Sequence, residues 1–225
     1  MNNFQVDELI KCLQSLPAID GVFNPWLNQD PEFDSGDIDA PEVRRQNLRR
    51  YLTPRISTAK WLLLAEAPGY NGCKFSGIPM TSERQILERI EDIFPGFSRH
   101  SDISACLTSK SVEGRTERTA SIIWGIMLDK LKINPLDFVL WNSFPCHPYK
   151  YEDRLTNAKP TKLMIEMHKY VISEVINIFS DCKVIAMGDV AKSMGLHPFA
   201  FTRHPSYDFK RVFPKQLRHA LLGDG

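Results

Sequence analysis

The chain has 225 residues, a formal net charge of +1 at pH 7 and 43% hydrophobic residues. This length favours one domain with enough chain to bury a substantial core. The near-neutral charge gives no bulk electrostatic signal for nucleic-acid binding, although it is compatible with a local basic patch. No apolar run approaches the roughly 20 residues that span a bilayer, and the N-terminus lacks a secretory signal. Five scattered cysteines without a CxxC pair favour reduced thiols, so we expect an intracellular, cytoplasmic protein. We also expect a monomer.

The N-terminal quarter predicts two helices joined by a loop. The first helix ends before Pro17, and its apolar face comprises Val6, Leu9, Ile10, Leu13 and Leu16. Residues 17–40 favour an extended loop, and the second helix begins at Asp39 to Glu42. Its arginines favour a solvated basic face, with a phosphate contact as the alternative: Arg44, Arg45, Arg49 and Arg50. We expect residues 1–58 to pack on the core of a single domain spanning residues 1–225.

A continuous apolar run from Trp61 to Ala65 predicts a strand that is buried on both faces. It ends in a loop broken by Pro68-Gly69, and Ser82 caps the helix that follows, which extends to Phe94. Residues 96–118 are rich in Ser, Thr, Arg and Lys, a composition typical of a mobile surface loop. This strand and loop form the first strand–loop–helix unit of the chain.

Strands and helices continue to alternate through the second half. The predicted helices cover residues 122–131, 161–179 and 213–222, with a short one beginning at Gly188-Asp189. The predicted strands cover residues 138–142, 183–187 and 199–202. Such alternation favours a mostly parallel sheet covered by helices on both faces.

Unusual polar residues follow four of the predicted strands. These segments are Glu66 to Gly69, Asn142-Ser143, Gly188-Asp189 and His204 to Ser206. Parallel strands end at the same edge of a sheet, where open α/β sheets bind their ligands. The sequence therefore predicts that all four segments converge on one cleft.

The same segments resemble the motifs of the uracil-DNA glycosylase superfamily. The first motif corresponds to Ala65 to Gly69 followed by Gly77 to Met80, the second to Leu140 to Ser143, and the third to His204 to Ser206. The resemblance spans residues 60–220. It implies a three-layer α/β/α sandwich with a central four-stranded parallel sheet. It also implies a monofunctional DNA N-glycosylase that flips out and hydrolytically removes uracil or a related deaminated base.

Two residues would carry the central chemistry implied by this resemblance. Asn142 would read the base by accepting from uracil N3–H and donating to O4. The alternative is a strand-terminal side chain that bonds its own loop. His204 would lie near O2 and stabilise the negative charge on the departing base, whereas the alternative is an ordinary turn residue.

The resemblance also implies a base pocket around the first motif. Its predicted members are Ala67, Gly69, Tyr70, Phe75 and Met80. Backbone N–H groups near Gly69 and Tyr70 would bind O2 or orient the water. Met80 stands where relatives carry a Phe lid, and Phe75 is the candidate to replace it.

Glu66 is the only carboxylate in the first motif of this chain. Several branches of the superfamily place Asp or Asn at the position of Ala67 to orient the attacking water. We therefore expect Glu66 to orient the water, with a structural hydrogen-bond acceptor as the alternative.

Several polar side chains are expected to contact DNA. Ser143 and Ser206 would hold phosphate oxygens, which positions DNA without reading its sequence. Tyr207 to Phe213 would supply a wedge, with Lys210 and Arg211 as phosphate contacts. The alternative places the phenylalanines of this segment in the core and its charges on the surface.

No cofactor or metal is expected. Related branches ligate an iron–sulfur cluster through four cysteines, but Cys12 stands alone and Cys146 lacks partners. His147, His168 and His197 have no comparable setting and are taken as structural.

Two other function classes stay open. Ala67 and Met80 favour, as an alternative, a weak or silent relative that binds DNA or a modified base. A metabolite-binding α/β protein is disfavoured, because GxGxxG and P-loop motifs are both absent.

Overall fold

The computed structural model describes residues 2–97, 103–194 and 196–223. The helices are α1 (Asn2–Gln14), α2 (Ala40–Leu52), α3 (Cys73–Ser76), α4 (Glu83–Glu88), α5 (Ile90–Ile93), α6 (Arg118–Trp124), α7 (Lys162–Met167), α8 (Lys169–Ile178), α9 (Asp189–Ser193) and α10 (Val212–Leu222). The strands are β1 (Val22–Phe23), β2 (Trp61–Ala65), β3 (Phe138–Asn142), β4 (His147–Pro148), β5 (Lys183–Met187) and β6 (Ala200–Thr202). Short 3₁₀ turns cover Thr53–Arg55 and Ile103–Cys106, and a π-helical turn, Gly125–Lys130, continues α6.

The central sheet has four parallel strands in the order β3-β2-β5-β6. Leu63 on β2 pairs with Leu140 on β3 and with Ile185 on β5, and all three side chains are buried. Helices flank the sheet, which confirms the predicted α/β/α architecture. The register aligns Ala65 with Asn142, so the first and second motifs end side by side.

Two predicted helices are each divided in two. The helix expected from Ser82 to Phe94 breaks at Arg89, which lies outside the helical region at φ −136° and ψ 37°. The long helix after Pro160 breaks at His168, where the backbone leaves the helix and the ring lies 2.8 Å from the Met164 carbonyl oxygen. Apolar periodicity continues across both breaks, so the pattern alone predicts single helices. The predicted cap is confirmed, because Ser82 and Gln85 form a capping box.

The predicted basic face of α2 is wrong for Arg44. This guanidinium is fully buried, pairs with buried Asp34, and donates to the Asn28 carbonyl at 3.1 Å. Nearby, Lys74 pairs with buried Asp30 at 2.8 Å. The loop between α1 and α2 therefore contributes two buried carboxylates, each of which forms an ion pair with a buried cation.

The N-terminal region contacts the rest of the domain in three places. Helix α1 packs against α8 and α2. β1 pairs with β4, joining Val22 to Pro148. Trp26 stacks on Trp141 of β3 with ring centroids 6.3 Å apart.

The composition of residues 96–118 predicted a mobile surface loop, but the part described from residue 103 onward is anchored. The buried carboxylate of Glu83 accepts from the N–H groups of Thr108, Ser109 and Arg115 at 2.7, 2.9 and 3.1 Å. Ser109 also forms a β-bridge with Asp34. Composition cannot reveal this anchor, because Glu83 lies in a different element. Residues 98–102 of the predicted loop lie outside the described part.

No described helix has both the length and the apolar character required to cross a membrane.

Candidate active site

The carboxyl ends of the parallel strands open into a connected cleft. Its main cavity, of about 430 Å³, is lined by Ala65, Glu66, Ala67, Pro68, Gly69, Met80, Glu117, Thr119, Asn157, Ala158, His204, Ser206 and Tyr207. A second cavity, of about 410 Å³, shares Glu66, His204 and Tyr207 with it and adds Lys159, Lys192 and Arg203. A third, of about 200 Å³, shares Gly69, Glu117, Thr119 and Asn157 with the main cavity. Residues of the first and third motifs therefore border one cleft.

Asn142 ends β3 with its side chain buried and only 1% of the residue exposed. Among the described residues, neither its amide nitrogen nor its amide oxygen has a hydrogen-bond partner. Leaving a buried polar group unpaired costs about 1–3 kcal/mol. The expected alternative, an amide bonded to its own loop, is therefore not what the structure shows. Asn142 does not line the main cavity among the described residues, but its register partner Ala65 does.

His204 is half-buried and lines both large cavities. Its Nδ1 accepts the backbone N–H of Ser206 at 3.2 Å and lies 2.7 Å from the Ser206 hydroxyl. A neutral imidazole with Nδ1 as acceptor carries its proton on Nε2. Burial lowers the pKa of His204, which favours this neutral form at pH 7. The ring therefore offers one N–H donor while Ser206 holds its other side.

Gly188 permits the position of His204. A Cβ at this glycine would lie 3.2 Å from the His204 Cβ, and the backbone there has φ +89°. Both the close approach and the positive φ favour glycine. The glycine that follows β5 therefore leaves room for the His204 side chain.

The first motif supplies Glu66, Ala67 and Met80 to the main cavity. Burial raises the pKa of Glu66, Lys159 opposes this shift, and Asp189 adds to it. Met80 is 4% exposed and has φ +48°, a conformation that side chains other than glycine seldom adopt. The structure thus places the predicted lid residue on the cavity wall in a strained backbone position.

The backbone N–H groups expected to be free for a ligand are already used. The N–H of Gly69 donates to the Glu117 carboxylate. The N–H of Tyr70 donates to Asn157 Oδ1 at 3.0 Å. The prediction that these two groups would bind O2 or the water is therefore wrong in this structure. They fix the first-motif loop to two other segments instead.

Glu117 is a site residue that the sequence did not indicate, as are the cavity residues Lys159, Lys192, Arg203, Thr119 and Asn157. Glu117 immediately precedes α6, lines the main and small cavities, and has a pKa raised by burial to about 7 despite the opposing Gly69 hydrogen bond. No motif contains it. The only nearby sequence feature that indicates a close approach to this loop is its pair of glycines, Gly69 and Gly72. They lie four residues and one residue before α3.

Several predicted site residues lie outside the main cavity. Phe75 is fully buried and packs against Arg44, Lys74 and Arg115. The expectation that it replaces the lid is therefore not met, because it belongs to the core. Tyr70 lines the small cavity, and Ser143 is buried with its hydroxyl unpartnered among the described residues.

The segment after the third motif divides between surface and core. Tyr207 lines both large cavities and is 55% exposed. Lys210 and Arg211 are exposed. Phe213 is fully buried, as the structural alternative predicted for it, whereas Phe209 is partly exposed and lies 5.0 Å from the Arg118 guanidinium.

The described residues contain no group of three or more His, Cys, Asp or Glu side chains placed to hold a metal ion. Cys146 is buried, and burial raises its thiol pKa above the usual range. His147 is also buried: its Nδ1 lies 2.9 Å from the Pro68 carbonyl oxygen, and burial lowers its pKa to about 4. This histidine therefore supports the first-motif loop as a neutral ring.

Comparisons with known proteins give a match at the level of fold. No family model matches the chain. No curated protein matches it either. The structure is similar to the crystal structure of wild-type SMUG2 from Pedobacter heparinus, with a TM-score of 0.57 and 12% sequence identity. The match covers 92% of this chain and 89% of that one, so the two proteins share one fold over almost their whole length.

Proposed function

We propose that this protein is a monofunctional DNA N-glycosylase that flips out and hydrolytically removes uracil or a related deaminated base. The observation that carries the proposal is the buried amide of Asn142, which has no partner among the described residues and whose register partner Ala65 lines the cleft that holds His204. SMUG2, a protein with a similar fold, belongs to the uracil-DNA glycosylase superfamily, which supports a glycosylase-like enzyme and a DNA substrate.

Asn142 would recognise the base through hydrogen bonds that the protein itself leaves unmade. Its amide oxygen would accept from uracil N3–H and its NH₂ group would donate to O4. Cytosine presents the reverse pattern, so the buried amide would stay unpaired against it. A site that leaves buried polar groups unpaired with the wrong ligand discriminates strongly.

His204 would stabilise the leaving group. Cleavage of the glycosidic bond places negative charge on the pyrimidine, and a neutral Nε2–H donor aimed at O2 would offset that charge. Ser206 holds the ring in the tautomer that this role requires. We therefore assign Ser206 to orienting His204 rather than to a phosphate.

The remaining predicted residues would hold the flipped nucleotide. Met80 would cover the base through its polarizable thioether, and Ala67 and Gly69 would form the wall. The cations of the second cavity, Lys159, Lys192 and Arg203, would contact DNA phosphates. Tyr207, together with the exposed Lys210 and Arg211, would extend the DNA contact beyond the cleft.

The experiment is a base-release panel. Labelled oligonucleotides carry uracil, hypoxanthine or xanthine, each single-stranded and paired, and strand scission after alkali reports abasic sites. We expect scission of at least one deaminated substrate and none of the matched cytosine strand. No scission of any substrate at high protein concentration would overturn the proposal. Tight, salt-sensitive DNA binding without release would instead favour the silent relative.

A further inference from the structure

Glu117 enters the site through a gap that two glycines leave open. A Cβ added at Gly69 or at Gly72 would overlap the Glu117 carboxylate. Both positions therefore exclude larger side chains while this carboxylate is in place. The N–H of Gly69 donates to it, so the first-motif loop both admits Glu117 and fixes it.

The carboxylate stands where two cavities meet. Glu117, Gly69, Thr119 and Asn157 line both the main cavity and the adjoining cavity of about 200 Å³. The small cavity also contains Asn71, whose buried Oδ1 has no partner among the described residues. A polar space with a buried, unsatisfied acceptor beside a carboxylate is the kind of site that holds ordered water. Glu117 therefore separates the base cavity from a compartment suited to water.

Glu66 faces a different side of the main cavity. It also lines the second large cavity with Lys159, Lys192 and Asp189. Glu66 therefore lies beside the lysines that are proposed to contact DNA. Glu117 instead lines the small cavity, where the uncharged amides of Asn71 and Asn157 stand beside the single cation of that lining, Arg118.

We propose that Glu117, rather than Glu66, is the catalytic residue that holds and deprotonates the attacking water. The inference rests on the proposed function, and it assigns a role to a segment that none of the three motifs contains. It also accounts for Ala67, because a carboxylate from the loop before α6 supplies what the first motif lacks.

The reaction balances with this assignment. The C1′–N bond breaks and its electron pair leaves with the base, whose charge His204 stabilises and which then takes a proton from solvent. The water oxygen bonds to C1′, and one water proton passes to the Glu117 carboxylate. The products are the free base and an abasic sugar bearing a hydroxyl at C1′, and the carboxyl later returns its proton to solvent.

Burial also gives this carboxyl a proton affinity suited to a base near neutral pH. Its pKa is raised to about 7, so it is ionised above that value and protonated below it. The titratable and charged groups that share its cavities or packing are Glu66, Tyr70, Cys73, Arg118, His204 and Tyr207. Base release is therefore expected to rise as the pH passes through about 7.

The test measures single-turnover release from the best substrate of the panel, between pH 5 and 9. Glu117→Gln keeps an oxygen that can accept the Gly69 N–H, so the loop should stay in place. We expect it to slow release by at least about 10²-fold, to abolish the rise near pH 7, and to leave DNA affinity unchanged. Glu117→Asp should retain the pH-dependent rise at a reduced rate. Glu113→Gln, an exposed change in the same loop, is the matched control and should behave as the unaltered protein.

Glu66→Gln separates the two candidate carboxylates. Retention of the pH-dependent rise in this variant, together with its loss in Glu117→Gln, is the expected result. The reverse result would overturn the assignment of Glu117 and leave the glycosylase proposal intact. Urea unfolding of each variant checks folding. If Glu117→Gln does not fold, the pH profiles of Glu117→Asp and Glu66→Gln test the assignment instead. If the unaltered protein released no base at all, the proposed function and this inference would both be wrong.

Discussion

At the scale of single residues, His204 and Asn142 are side chains whose surroundings suit a ligand better than the folded protein alone. The buried amide of Asn142 has no partner among the described residues, and His204 lines an open cavity while its Nδ1 is taken by Ser206, which leaves the N–H donor on Nε2. Both residues were predicted from motifs at strand ends. Local sequence is sufficient there, because strand, turn and functional side chain are consecutive.

His204→Ala should lower base release by about 10²–10³-fold while DNA affinity changes little. The reason is that the donor acts on charge that develops only as the bond breaks. Single-turnover rates and equilibrium binding of the same oligonucleotide provide the comparison, with the exposed His197→Ala as the control. Equal losses of rate and affinity would assign His204 to binding.

Glu117 should also affect stability, in a direction set by its pKa. The carboxyl titrates at about 7 in the folded protein and near 4.5 when unperturbed. Between these values the folded state binds more protons, so stability falls as the pH rises, by at most about 3 kcal/mol. Glu117→Gln removes this loss. Its stability relative to the unaltered protein should therefore increase from pH 5 to pH 8 in urea unfolding, and a pH-independent difference would contradict the assigned pKa.

At the scale of elements, the loop before α6 places Glu117 at the cleft, and this loop is anchored by hydrogen bonds to Glu83. The Glu83 carboxylate accepts hydrogen bonds from the backbone N–H groups of Thr108, Ser109 and Arg115, which are 25 to 32 positions away in sequence. Such a contact has no periodic or compositional signature, so residues 96–118 were predicted as a mobile surface loop. The same limit applies to buried Arg44, whose partner Asp34 lies in another segment.

Glu83→Gln should loosen this loop and thereby slow base release. An amide has one acceptor oxygen where the carboxylate has two, so buried N–H groups lose partners at about 1–3 kcal/mol. Hydrogen exchange of the residue 108–115 amides should accelerate, and release should fall with no shift of its pH profile. The exposed Glu88→Gln on the same helix is the control. Unchanged exchange would show that the loop does not depend on Glu83.

The buried pair of Lys74 and Asp30 offers a second test of these buried charge contacts. Both side chains are 0% exposed, so Lys74→Met would leave a buried charge less compensated and should cost about 3–5 kcal/mol. Arg49 and Asp7 form a surface pair, each side chain about 40% exposed. Arg49→Met should lower the free energy of unfolding by less than about 1 kcal/mol. Urea unfolding measures both variants, and equal losses would contradict the role of the buried pair.

At the scale of the whole molecule, alternation of strands and helices was sufficient to predict the α/β/α architecture, and the fold it shares with SMUG2 agrees. The strand order and the small β1–β4 sheet were not predictable, because pairing between distant strands leaves no local pattern. The convergence of motifs was predicted from the common direction of parallel strands. The cavity walls depend instead on side chains from many segments.

With a near-neutral charge of +1, the proposed DNA binding would rely on local cations rather than on a global field. Lys192 in the second cavity should contribute one phosphate contact. Lys192→Ala should then reduce the slope of log affinity against log salt by about 0.7 for a single strand. Lys11→Ala on α1, where Lys11 pairs with Glu8, should leave the slope unchanged. An unaltered slope for Lys192→Ala would remove this residue from the DNA contact.

The central claim is that the buried amide of Asn142 selects a base for removal. The most direct measurement is single-turnover release of free uracil by the unaltered protein, by Asn142→Ala and by the exposed control Asn177→Ala. We predict release by the unaltered protein and the control, and a loss of at least about 10²-fold for Asn142→Ala because its base contacts are gone. Equal release by all three proteins would contradict the claim that Asn142 selects the base.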